Sequence, residues 1–134
     1  MKIPLDDAFD CYEQSKRKVT LEPLFGYDTE KKEFVKLRDK NRNVCVVFVN
    51  SYQLCSSLIE EYLSQPSMEE HRKAFKELSK NSSNKIVSFL WYFEHIDGCR
   101  DFEMFEIKRV SKALKKWCKA NNFEWTEPEV YRID

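Results

Sequence analysis

Lys85–Ile96, KIVSFLWYFEHI, is the most apolar and aromatic run in the chain, and its reading decides the fold. Ile86, Phe89, Leu90, Phe93 and Ile96 recur at helical spacing, which places them on one side of a helix. Val87 and Trp91, four apart, widen that side, leaving Lys85, Ser88, Tyr92, Glu94 and His95 for water or polar neighbours. A helix apolar over most of its circumference belongs inside a domain. The same residue types suit a buried strand, but Asn84 as N-cap and Gly98 as a C-terminal stop favour the helix.

Working outward, everything after Asn50 has helical period. Leu54, Cys55, Leu58, Ile59, Tyr62 and Leu63 share a side of a segment opened by Ser51 and ended by Pro66. Ser67-Met-Glu-Glu70 forms a capping-box pattern ahead of Ala74, Phe75 and Leu78. Beyond the central helix, a long one is expected from about Cys99 to Asn121. The tail, 122–134, alternates aromatics and acids and ends in a short strand.

Before Asn50 the pattern differs. Pro4 and the acids Asp6, Asp7 and Asp10 open a first helix over 4–17. From Lys18 the period becomes two: Val19, Leu21 and Leu24 predict one strand, with Pro23 keeping it at an edge or bending it. Phe34, Val35 and Leu37 predict a second strand, and Val44–Val49 a third. Gly26 to Lys32 and Asp39 to Asn43 mark turns. The last strand, apolar on both faces, is expected at the centre. The sequence thus predicts an α+β fold forming one domain over 1–134. It comprises an N-terminal helix, a three-stranded antiparallel β-meander (about 18–50), a cluster of about four helices (about 51–121) and the tail. The helix-strand-strand-strand-helix order of 4–65 resembles double-stranded-RNA-binding modules. Their second helix opens on lysines, whereas Ser51-Tyr-Gln-Leu54 has none, and the resemblance is rejected.

The composition restricts function more than it assigns it. With 42% apolar and 34% charged residues the chain has the make-up of a globular protein. Twenty-three basic and 23 acidic side chains cancel, so an electrostatic function must be local. Two glycines argue against glycine-cradled phosphate sites. The cysteines (Cys11, Cys45, Cys55, Cys99, Cys118) are odd in number and lack a C-x-x-C pair, which predicts free thiols in a reducing cytoplasm. MKIPLDDAF lacks the apolar core of a signal peptide and no run is long enough to span a bilayer, so a membrane partner is not expected.

One segment carries patterned charge. Lys108, Arg109, Lys112, Lys115, Lys116 and Lys119 are six basic side chains uninterrupted by an acid, opposite the apolar row Ile107, Val110, Leu114 and Trp117. Acids upstream (Glu94, Asp97, Asp101, Glu103, Glu106) give this region a charge order that relieves the helix dipole. A solvated surface helix is one reading; a site for an acidic surface or for phosphates is the other. Lys31, Lys32, Lys36, Arg38, Lys40 and Arg42 form a second basic cluster in the β-turns. Tyr27, Trp125 and Tyr131, in turn and tail contexts, are the aromatic candidates for partner anchors.

No catalytic, cofactor-binding or metal-ligating motif is present, and none of these roles is assigned. His71 and His95 lack ligand spacing. The expectation is a small cytosolic protein-binding protein without catalysis, such as an inhibitor, an immunity or antitoxin-like protein, or an adaptor. The alternative is a nucleic-acid-binding domain using helix 108–119 and turns 31–42. A third reading is a hydrolase or nuclease assembled from dispersed groups such as Glu60, Asp97 and Glu129.

Overall fold

The computed structural model describes residues 2–95 and 101–127. The chain is a mixed helix-and-sheet structure in which β1 (Lys2–Pro4) leads into α1 (Leu5–Ser15). Strands β2 (Phe25–Asp28), β3 (Glu33–Lys36) and β4 (Cys45–Val47) follow. Helices α2 (Ser51–Leu63), α3 (Glu69–Leu78), α4 (Lys85–His95) and α5 (Phe102–Ala120) come next, and β5 (Glu124–Thr126) closes the described chain.

The sheet is antiparallel and three-stranded, as expected, but it is not a meander. Its order is β3-β2-β4, so the first of its three strands lies at the centre. Val19 and Leu21 are exposed and precede the sheet; the central strand is instead Phe25–Asp28. Gly26, expected in a turn, sits inside that strand opposite Val35 on one side and Val47 on the other. A Cβ there would come within 2.8 Å of Leu37 Cδ2 and 3.0 Å of Cys45 Cβ, so the close approach of three strands needs glycine. The apolar run Val44–Val49 supplies an edge strand, with Val44 and Val47 exposed and Phe48 buried. The β2–β3 turn is held by Asp28 Oδ1, which accepts from Glu30 and Lys31 N–H, with Lys32 in the left-handed region at φ 57°.

A second, two-stranded sheet pairs β1 with β5 in parallel, Ile3 opposite Trp125. The chain reaches β5 through Asn122 (φ 58°), and Phe123 N–H donates to Cys118 C=O, closing α5.

The central helix forms where expected. Asn84 Oδ1 accepts from the N–H groups of Ile86 and Val87, and Ile86, Phe89 and Phe93 are buried. One expectation for its sides is corrected. Val87 and Trp91 are half exposed, and Tyr92, expected to meet water or a polar neighbour, is buried with its hydroxyl on His71. The packing explains both. α4 meets α2 and α3, so the side carrying Phe75, His71 and Tyr62 captures Tyr92 and Phe93, while Val87 and Trp91 stay half exposed. His71 Nδ1 lies 2.9 Å from Tyr92 Oη, which satisfies the phenol. Gly98 and Ile96 lie outside the described residues. Ser51 is not the cap of α2: Asn50 takes that role, accepting from Gln53 N–H at 3.0 Å. The capping box at Ser67 is likewise unformed, because Pro66–Met68 makes a 3-10 turn before α3.

One contiguous core joins these elements. In the helical part, Phe89 packs edge-on against Phe75 (ring centres 4.6 Å apart) and Phe102 (5.6 Å). Over the sheet, Phe34, Phe48 and Phe123 surround Trp117, with Tyr27 packed on Phe34 and Phe123, and the Trp117 indole N–H donates to Val47 C=O at 2.8 Å. α5 therefore belongs to both clusters.

Candidate functional site

α5 presents two chemically distinct sides. Phe102, Glu106, Val110, Leu114 and Cys118, each four residues from the last, are the buried row. At 100° per residue, Lys108, Arg109, Lys112, Lys115, Lys116 and Lys119 fall within an arc of roughly 120° directed away from it. Five of these side chains, with Ser111, surround an open surface depression of about 470 Å³; Arg109 is the one left out. Two of the six cations are engaged. Arg109 pairs with Glu61 of α2 at 2.8 Å, and Lys115 with Glu127 at 3.1 Å. Lys119 stands over the Trp125 ring, 5.8 Å from its centre. Lys108, Lys112 and Lys116 are exposed and make no ion pair among the described residues. Lys108–Lys112 and Lys112–Lys116 are like-charge pairs at i, i+4, each costing a few tenths of a kcal/mol.

The aromatic candidates separate. Tyr27 is corrected: it is 2% exposed, wedged edge-on between Phe34 and Phe123, and no partner can reach its ring. The central position of β2 puts it there. Trp125 is half-buried beside the lysines, its indole N–H donating to Glu127 at 3.1 Å. Tyr131 lies outside the described residues. The basic turns are exposed, but Arg42 pairs with Glu22 at 2.8 Å, and no hydrogen bond or ion pair among the described residues joins that cluster to α5.

A polar group that the sequence reading missed lies beneath α5. Glu106, assigned above to a solvated acidic stretch, is buried. Its Oε2 accepts from Tyr12 Oη at 2.8 Å and from Lys16 Nζ at 3.1 Å, and Cys55 Sγ lies 3.9 Å away. Lys16 also donates to Glu13 at 2.9 Å. The signal was present: Glu106 is the one charged member of the row Phe102–Val110–Leu114–Cys118, and a carboxylate at a buried helical position requires internal partners.

This network is not a nucleophilic centre. Burial pushes the Cys55 thiol up to about 11, and burial with Asp10 and Asp7 nearby pushes Cys11 up to about 12. Burial raises Tyr12 well above the usual phenol range, with Cys55 and Glu106 adding to it. Burial alone would lower Lys16, but Glu106 and Glu13 outweigh it and the ammonium is held above its ordinary value. At neutral pH the thiols, phenol and ammonium all keep their protons, so none is an activated nucleophile or base. The two histidines are apart: His71 faces Tyr92, and exposed His95 stacks on Trp91 and lies 2.8 Å from its carbonyl. Among the described residues, no group of three or more His, Cys, Asp and Glu is placed to hold a metal ion. Glu60 is exposed on α2, while Asp97 and Glu129 lie outside the described residues. No described helix is long and apolar enough to cross a membrane.

No family model, curated protein or solved structure matches this chain.

Proposed function

We propose that this chain is a binding protein without catalytic activity of its own, which docks an acidic protein surface on the lysine side of α5. The observation that carries the reading is the row Lys108, Lys112 and Lys116, exposed and without ion pairs among the described residues, on a helix anchored on both the sheet and the helical core. A rigid helix with uncompensated charge pre-organises a contact surface, since the repulsion along it is relieved when a partner supplies carboxylates. Trp125, beside Lys119, supplies the amphipathic ring that such surfaces use as an anchor. An inhibitor, an immunity or antitoxin-like protein, or an adaptor would act in this way by covering its target. The four described thiols, all free and buried, suit a reducing cytoplasm.

A protein partner is favoured over nucleic acid because Glu127, paired with Lys115, stands at the end of the same stripe with Glu124 close in the chain, and these acids would repel a long phosphate backbone. The test is purification of the tagged protein from its native cell after nuclease digestion. It is run beside a variant carrying Lys108→Ser, Lys112→Ser, Lys116→Ser and Lys119→Ser. The expected result is an acidic protein retained by the wild type and lost from the variant. Co-purifying nucleic acid, with no protein left after digestion, would overturn the reading.

A further inference from the structure

A second concave site lies between α1, α4 and α5, away from the lysine stripe. It is a cleft of about 470 Å³, a size that fits a small organic molecule. One wall is apolar, built by Leu90, Phe93, Phe102 and Ile107, and the Phe93 and Phe102 rings lie 4.6 Å apart there. The polar lining is unequal in kind. Four carboxylates (Glu13, Glu94, Glu103, Glu106) face two cations (Lys16, Arg17).

The hydrogen-bond inventory decides what the cleft can take. Lys16 has no donor to spare, since its three protons are matched by Glu13 Oε1 and the two oxygens of Glu106. Glu106 is different. Oε2 is saturated by Tyr12 and Lys16, whereas Oε1 accepts only one long bond, 3.3 Å from Lys16, and a carboxylate oxygen accepts two. The side chain of Glu106 is 8% exposed and lines the cleft, so the second acceptor position of Oε1 belongs to the cleft and not to bulk water. At the mouth, Glu94 and Glu103 are exposed and make no hydrogen bond or ion pair among the described residues. Among the described residues, the cleft therefore offers acceptors above an apolar wall, and its buried ammonium, Lys16, has no donor to spare. Among the described lining residues, an anion would meet Glu94, Glu103 and Glu106 with Arg17 as the one cation not already committed to a carboxylate, and a neutral hydrocarbon would leave those carboxylates without a partner.

We infer that the α1–α4–α5 cleft binds a small organic ammonium ion, its charged head on Glu106 and the Glu94–Glu103 rim and its apolar body against Phe93, Phe102, Leu90 and Ile107. The site is independent of the lysine stripe, so either assignment can fail without the other.

Phenethylamine is the probe, with phenylpropanoate as the anion of matching shape. Both are titrated into the full chain by calorimetry and followed by NMR. The expected result is saturable binding of the amine and none of the carboxylate. Glu94→Gln with Glu103→Gln should weaken it at least about fivefold, since two charge-assisted contacts become neutral ones. Both side chains are exposed, so this double variant keeps the fold, which its melting curve verifies. Ile107→Trp, at a half-buried position, should abolish binding by filling the cleft. Any of three results overturns the assignment: no saturable amine binding up to about 10 mM, equal binding of the carboxylate, or affinity unchanged in the double glutamine variant.

Discussion

Lys16 Nζ and Glu106 Oε2 lie 3.1 Å apart with side chains 4% and 8% exposed, a buried ion pair that bolts α1 to α5 across ninety residues of chain. Tyr12 donates to the same oxygen, so the carboxylate is held by two elements of one helix turn and reaches back across the core. A buried pair gains little over a well-packed apolar one, but breaking it by removing one partner strands a charge.

Lys16→Met should therefore destabilise the protein by about 3–5 kcal/mol. Adding Glu106→Gln should recover part of that loss, because the carboxylate left without its ammonium is gone. Urea unfolding of the single and double variants gives the coupling. A Lys16→Met protein as stable as wild type would mean that the pair is solvated in solution.

The two apolar positions Phe89 and Trp91 should separate sharply. Phe89 is fully buried among Phe75, Phe93 and Phe102, and Phe89→Ala should cost about 3–5 kcal/mol through lost contacts and a residual cavity. Trp91 is 51% exposed and stacked on His95, so Trp91→Ala should change stability by no more than about 0.5 kcal/mol. Denaturation midpoints decide it, and equal losses at the two positions would contradict the packing of α4.

Alkaline pH should unfold the protein earlier than its net charge suggests. Cys11, Cys55 and Cys118 titrate in the fold at about 12, 11 and 11, and Tyr12 also well above its ordinary value. The unfolded chain releases these protons first, so stability is intact below about pH 9 and falls as pH rises. Lys16 acts in the same direction: its folded-state value is raised, so its contribution is whole below the unfolded value of 10.5 and lost as pH climbs through the folded one. Urea midpoints at about pH 8 and about pH 10 should differ measurably, and Cys55→Ala should reduce the difference. The same burial predicts that these three thiols and Cys45 resist alkylation until the chain unfolds.

Once a partner is in hand, neutralising Lys108, Lys112, Lys116 and Lys119 should slow association about tenfold or more at low salt and leave dissociation less affected. Stopped-flow traces at several ionic strengths report this. Lys115→Ser should act more weakly, because Glu127 already engages that ammonium. A log–log salt slope that changes by about one unit per lysine removed, on generic duplex or single strand, would point to phosphates as the ligand.

Helices α1, α2, α4 and α5 and the antiparallel character of the β region were determined by the sequence alone, because period, caps and prolines act within a few residues. The lysine stripe was legible for the same reason: spacing along one helix places it on one arc. The strand order was not. Three short apolar runs can pair in several orders, and the choice of β2 as centre rests on Gly26, which lets Leu37 and Cys45 approach from both sides. Nor could a sequence tell which side of α4 is covered; that depended on where α2 and α3 pack, which buries Tyr92 and leaves Trp91 out. Tyr27 and Glu106 were misplaced alike, since a polar atom on a side chain favours water only until a fold supplies partners for it. Tyr12, Lys16 and Glu106, like β1 and β5, meet only after closure of nearly the whole chain, and no local pattern records a contact at that separation.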